Sequence, residues 1–202
     1  MEKELSARER QAIQTREKLL KAGKEIFLEN GFQKATISQI IKRANTGYGT
    51  AYVYFKNKDD LLIVLMEEVM EKFYQVAERS YQPRTKQEAR QLISEQVRLF
   101  LTCAVEEEAM MKVVKEAIGS SPEIESQWNS IRERFIERIS VDIQYVQNNG
   151  LAAPAFKPKL VARGWFYANE MFMWDYVKGE NDYLMDDVIT HLTNLYMDGL
   201  YI

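Results

Sequence analysis

The stretch TGYGTAYVYF, residues 46–55, decides the fold. It gathers two glycines, three tyrosines, two threonines and Phe55 within ten residues. That mixture is too polar for a buried strand and too short for an ordinary core helix. The residues before it, TISQIIKRAN (36–45), read as a short helix. Thr36 and Gln39 have the spacing of a capping box, and Ile37, Ile40 and Ile41 supply one buried face. Asn45 tolerates left-handed backbone, so ANTG (44–47) forms a tight turn, with Thr46 or Gly47 capping the helix that follows. Two short helices joined in this way are a helix-turn-helix, whose second helix enters the DNA major groove.

The expected reading helix spans about 47–54. Gly49 lets its first turn approach a base edge or phosphate closely. Tyr48 and Thr50 point forward to meet bases, while Tyr52 and Tyr54 offer phenol groups to phosphate oxygens without adding charge. Val53 and Phe55 are expected to face back into the core. The bland alternative is that the tyrosines merely cover an amphipathic surface.

Charge supports the DNA reading. The whole chain is at −3. Residues 16–58 hold nine Lys and Arg against Glu17, Glu25 and Glu29, a local +6 that leaves −9 for the remainder. A basic first quarter on an acidic body suggests a polyanion-binding module joined to something else. A DNA-compacting protein would be basic throughout.

Outward from this stretch, apolar spacings of three and four predict helix everywhere, about nine helices in an all-α chain. Ser6 and Glu9 form a capping box for a first helix that Asn30-Gly31 ends. Asn57 is the expected N-cap of a long helix reaching about Tyr81. Thr85 and Glu88 repeat the capping pattern. Ser121-Pro122 starts a helix to about Asn149, Pro158 starts another to about Lys178, and the last covers about 182–200.

TREKLLKAGKEIFLENGFQKATISQIIKRANTGYGTAYVYFKNKDDLL, residues 15–62, also resembles the N-terminal domain of TetR-type transcriptional regulators. The likeness is carried by Phe27, Gly31, Phe32, Thr36, Ile40, Ala44, Gly49, Thr50, Tyr52, Tyr54, Phe55, Lys58 and Leu61. It departs at the turn, where Asn45, Thr46 and Gly47 replace the family's usual Gly, Val and Ser. The resemblance implies a DNA-binding domain at 12–72, with the helix-turn-helix at about 36–55, and an effector-binding and dimerisation domain at 73–202. It implies phosphate contacts from Thr36, Tyr54 and Lys58, and places Tyr48, Gly49, Thr50 and Tyr52 in or at the groove. It further implies a homodimer on a palindromic double-stranded operator, its last two helices pairing in a four-helix bundle through Val188, Leu192 and Leu195.

GWFYANEMFMWDY, residues 164–176, is aromatic on nearly all sides and so is buried on nearly all sides. An effector cavity is expected among Phe100, Met110, Trp128, Phe135, Tyr145, Trp165, Asn169 and Trp174, because methionine and aromatic side chains line adaptable apolar pockets. Few basic residues lie nearby, which favours a small, mostly apolar or cationic effector, released-repressor logic being the expected switch. Glu170 and Asp175, embedded in this run with Asn169, read as ordinary helix-face residues, the alternative being that one of the three orients a ligand or receives a cation.

Other classes find less support. His191 is the only histidine, and Cys103 the only cysteine, with no histidine near it in sequence. Phosphate-loop, dinucleotide and HExxH patterns are absent. Glu106, Glu107 and Glu108 point in different directions on a helix. No catalytic residue, cofactor or metal is expected. One cysteine fits a reducing compartment, and the charged start MEKELSARER lacks the apolar centre of a secretory signal, so a cytoplasmic protein without membrane association is expected. A DNA-binding protein with no small-molecule switch is the alternative, a helical enzyme a remoter one.

Overall fold

The computed structural model describes residues 6–180 and 182–202. The described residues form nine helices and no strand: α1 (Ala7–Lys34), α2 (Ile37–Arg43), α3 (Tyr48–Tyr54), α4 (Lys58–Ala77), α5 (Lys86–Glu106), α6 (Glu108–Ile118), α7 (Pro122–Asn148), α8 (Pro158–Lys178) and α9 (Met185–Leu200). The all-α expectation therefore holds. Among the described residues no helix is long and apolar enough to cross a membrane.

The chain divides into two compact units. One comprises residues up to Val69 together with Lys112–Gln127, and the other Met70–Met111 with Trp128–Ile202. Helices α4, α6 and α7 each contribute residues to both.

In the first unit the caps form as the sequence dictates. The Ser6 hydroxyl accepts from the Glu9 amide, and the Glu9 carboxylate accepts from the Ser6 amide. Thr36 and Gln39 repeat this exchange at the start of α2. Asn57 Oδ1 accepts from the Asp60 amide at 2.8 Å, capping α4. The long run of α1 breaks at Gly31, as Asn30-Gly31 predicts: the backbone there takes φ 72° and ψ 173°, outside the helical region, and one further turn follows across this kink to Lys34. Gly23 lets α1 and α4 come close: a Cβ there would stand 2.2 Å from Leu61 Cδ2. Leu19, Phe27, Ile40, Ile41, Leu61 and Leu62 fill the core between.

In the second unit α5 packs on both α8 and α9. Its centre is a train of rings. Phe73 meets Phe100 edge-on at 5.3 Å, and Phe135 stacks on Phe166 at 5.4 Å. Such pairs contribute about 0.5–1.5 kcal/mol each beyond area burial. Helix α4 ends at Ala77, one turn short of expectation, and Tyr81 instead buries its hydroxyl against that of Tyr201. The last residues are tied back by a single antiparallel bridge between Ala152 and Tyr201.

Candidate DNA-reading face and effector cavity

The turn before α3 is built as the sequence predicts. Asn45 has φ 50°, the one positive φ outside glycine among the described residues. The Thr46 hydroxyl donates to the Ala44 carbonyl at 3.3 Å, and Gly47 becomes the N-cap, making no side-chain cap bond. Helix α3 is anchored by Ala51 and Phe55, both buried. Tyr48, Gly49, Thr50 and Tyr52 are exposed and Tyr54 is half-buried. Nothing lies within 4 Å of the place a Cβ on Gly49 would take. Val53 does not face the core as expected but is 79% exposed. In a seven-residue helix only one face can be buried. Val53 lies two residues from both Ala51 and Phe55, on the opposite side.

Thr36 is exposed, and its hydroxyl is engaged with Gln39 in the cap, as the spacing of the two residues predicts. Lys58, assigned to phosphate by resemblance, instead donates to the carbonyls of Phe32 (2.6 Å), Gln33 (3.4 Å) and Ala35 (3.0 Å). Its ammonium also lies 4.2 Å from the centre of the Phe32 ring. An ammonium has three donors, and those carbonyls take all three, so Lys58 holds the α1–α2 junction. Arg43 is similarly occupied, bridging Glu25 at 3.2 Å and Glu29 at 2.7 Å.

Glu116, from α6, is the residue of this unit that sequence reasoning missed. Its carboxylate accepts from the amides of Phe32 at 2.8 Å and Gln33 at 3.0 Å, just past the kink at Gly31. Ser121 adds a second tie, donating to Asp59 at 2.6 Å.

In the second unit a cavity of about 70 Å³ is lined by Phe100, Phe135, Trp165, Phe166, Asn169 and Asp142, with Gln96 as its third polar wall. Four of the eight expected pocket residues are thus brought together: Phe100, Phe135, Trp165 and Asn169. Met110, Trp128, Tyr145 and Trp174 are not on its wall. The reason for the two tryptophans is Glu170. It is buried, and its carboxylate accepts from the indoles of Trp128 (2.7 Å) and Trp174 (3.1 Å) and from Arg132 Nε (3.0 Å to each oxygen) and Nη2 (2.9 Å). A buried carboxylate needs such complete satisfaction, so the N–H groups of both indoles are taken up by it. Asp142 is the one acid on the cavity wall. Burial pushes its carboxyl up to about 6, against the pull of Arg138 at 2.7 Å.

A separate groove of about 370 Å³ follows α9, lined by Phe172, Tyr183, Asp187, Val188, His191, Leu192 and Leu195. Of the three expected dimer residues only Leu195 is exposed, at 75%. Val188 and Leu192 are buried within the protomer at 4% and 5%. No cluster of three metal-ligating side chains occurs among the described residues.

Comparison with known proteins agrees with this architecture. Residues 19–65 match the family described as bacterial regulatory proteins, tetR family, and residues 93–202 match the C-terminal domain of transcriptional regulator EthR. The fatty acid metabolism regulator protein of Bacillus subtilis is 44% identical over 55 residues, 27% of this chain and 28% of that relative's length. A TetR-family regulator from Syntrophomonas wolfei superposes with TM-score 0.73 at 20% identity, covering 91% of this chain and 93% of that one. SmeT of Stenotrophomonas maltophilia, solved with triclosan, superposes with TM-score 0.68 at 18% identity, covering 93% and 92%. The regulators it resembles are not enzymes, and helix-turn-helix, C-terminal body and family matches agree: the chain belongs to the TetR family of bacterial DNA-binding transcriptional regulators.

Proposed function

We propose that the protein is a ligand-released repressor that binds a palindromic operator as a homodimer. Residues 12–72 read DNA, and residues 73–202 bind the effector and dimerise. The observation that carries the reading is α3 itself: Ala51 and Phe55 hold it down while Tyr48, Gly49, Thr50 and Tyr52 stand exposed behind a left-handed Asn45 turn. Tyr48, Gly49, Thr50 and Tyr52 meet the groove, and Tyr54 and Thr36 meet phosphates. Duplexes selected by the protein from a random pool should contain inverted half-sites one helical turn or a multiple apart. Selected sites without inverted repeats, or a complex with a single protomer, would overturn the dimeric reading.

The effector enters between Phe100, Phe135, Trp165 and Phe166. At about 70 Å³ that space holds about two waters, whereas ligand pockets run to about 300–1,000 Å³. The rings must therefore part, and that cost links binding to conformation. SmeT with triclosan offers a precedent for an apolar aromatic ligand. Asn169, Gln96 and Asp142 supply a hydrogen-bonding end suited to a neutral or cationic group. A ligand that favours one state shifts DNA affinity by about 5- to 150-fold, transmitted along α4, which runs through both units. Apolar aromatic and cationic compounds should release the protein from its selected duplex. Release by small hydrophilic anions alone would overturn this assignment.

A further inference from the structure

Helix α1 outruns the core it serves. Its first buried residue is Leu19, so residues 7–18 form about 18 Å of helix with no buried side chain. This segment is not frayed chain: the Ser6–Glu9 capping box fixes its start. The face that further along carries Leu19, Gly23 and Ile26 continues backwards, in steps of three and four, as Arg16, Ala12 and Arg8. A buried apolar stripe thus turns into an arginine–alanine–arginine stripe. Glu9, the acid nearest to it, is engaged by the Ser6 amide and hydroxyl, and Glu17 lies across the helix. The stripe begins beside the reading helix, where the Arg16 guanidinium lies 5.7 Å from the centre of the Phe55 ring that closes α3.

We infer that the first three turns of α1 form a second DNA contact, with Arg8 and Arg16 on phosphates flanking the half-site that α3 reads. The inference rests on the DNA-reading assignment of α3. Charge selects the partner. The stripe presents two exposed guanidiniums and a methyl; Ile13, the large apolar side chain exposed on this segment, lies about 100° round the helix from Ala12, off the stripe, and the stripe extends the surface assigned to DNA. Ala12 leaves the helix surface low between the arginines, and the rise from Arg8 to Arg16 is about 12 Å, roughly two phosphate-to-phosphate steps along one strand, so the two side chains reach different phosphates. Arginine suits such contacts because its planar fork pairs with phosphate oxygens in two places at once.

Two variants separate a directed contact from mere net charge. Arg8 lies on the stripe, while Arg10, equally exposed, lies about 160° round the helix from Ala12. Full-length wild type, Arg8→Ala and Arg10→Ala are titrated, over a range of salt, against a duplex selected by the wild type and a scrambled duplex of equal composition. Arg8→Ala should weaken both duplexes several-fold. It should also flatten the slope of log affinity against log salt by about 0.9 for each phosphate contact removed, while Arg10→Ala leaves the slope near wild type. Equal slopes for wild type and Arg8→Ala, or equal losses in the two variants, overturn the inference while leaving the α3 reading intact. A wild type that does not distinguish the two duplexes overturns both.

Discussion

Glu116 Oε2 accepts the amide of Phe32 at 2.8 Å, and Oε1 accepts that of Gln33 at 3.0 Å, 83 residues away along the chain. At the kink the backbone leaves the helical path, which orphans the amides that follow it. The carboxylate caps them. Lys58 takes the carbonyls of the same turn. A short turn is thus held between a carboxylate at its N–H end and an ammonium at its C=O end, and α2 starts from it.

Gly31 is required here twice over. Its φ of 72° is strained for any other residue, and a Cβ would stand 2.7 Å from Glu116 Oε2. Gly31→Ala should cost about 1–3 kcal/mol from backbone strain and more from displacing Glu116. Because the second cost vanishes once the carboxylate is gone, Gly31→Ala and Glu116→Ala should be less than additive in denaturant unfolding. Strict additivity would show that the two positions do not meet in solution.

Lys58 distinguishes two roles by different measurements. As a clasp, Lys58→Met should lose about 1–3 kcal/mol of stability through unpaired carbonyls and leave the salt slope of DNA binding unchanged. As a phosphate contact, it would leave stability alone and flatten that slope by about 0.9. The geometry favours the first outcome.

Local chemistry was legible in the sequence and distant pairing was not. Ser6, Thr36 and Asn57 cap the helices they precede because a cap is decided within three residues. Thr85 also caps α5, but Glu88 turns to the Arg84 amide instead of completing the box. Asn45 took the left-handed conformation its side chain tolerates. Val53 was misread because an apolar residue in so short a helix has no periodicity to place it. Glu116 and Lys58 carry no local signal at all: their roles exist only once α6 and α4 reach the α1–α2 turn. The aromatic density of α8 overstates its burial: Phe166, Met173 and Trp174 are buried, but Tyr167 and Met171 are exposed, because one side of the helix packs on the body and the other does not. Nor does that density separate cavity wall from core. That division is made by Glu170, whose burial recruits two of the three tryptophans.

The α9 surface gives a graded test of assembly. Leu195 is exposed, so Leu195→Glu should preserve helix content and melting temperature in the protomer while sedimentation shows monomers. Leu192 is buried, so Leu192→Glu places an unpaired charge in the core and should unfold the body, by several kcal/mol. An intact dimer in folded Leu195→Glu would move the interface off this face.

The cavity and the Glu170 network should separate in ligand binding. Trp128→Phe removes one donor from a buried carboxylate and should cost about 1–3 kcal/mol of stability, with effector affinity near wild type. Phe100→Ala, on the cavity wall, should change effector affinity at an unchanged affinity for the selected duplex. Calorimetry on both variants with the same releasing compound checks the pair, and equal losses of affinity would merge the two sites.

Asp142 gives the body a pH signature whose sign is fixed by its environment. Its carboxyl is raised from an ordinary 3.8 to about 6, chiefly by burial. Below 3.8 the group is protonated folded and unfolded alike, and it costs nothing. Between 3.8 and 6 the unfolded chain releases the proton while the folded chain keeps it, so stability falls as pH rises. Above 6 the loss is complete, at about 3 kcal/mol for a shift of about two units. Asp142→Asn should therefore gain stability relative to wild type as pH rises from 4 to 6, offset by the cost of leaving Arg138 without its carboxylate, with only the Arg79 carbonyl to donate to. Denaturant midpoints of the two proteins at pH 4, 5, 6 and 7 measure the difference. A wild-type-to-variant gap that stays constant across that range would show that Asp142 is solvated in the folded protein, and would remove it from the cavity wall.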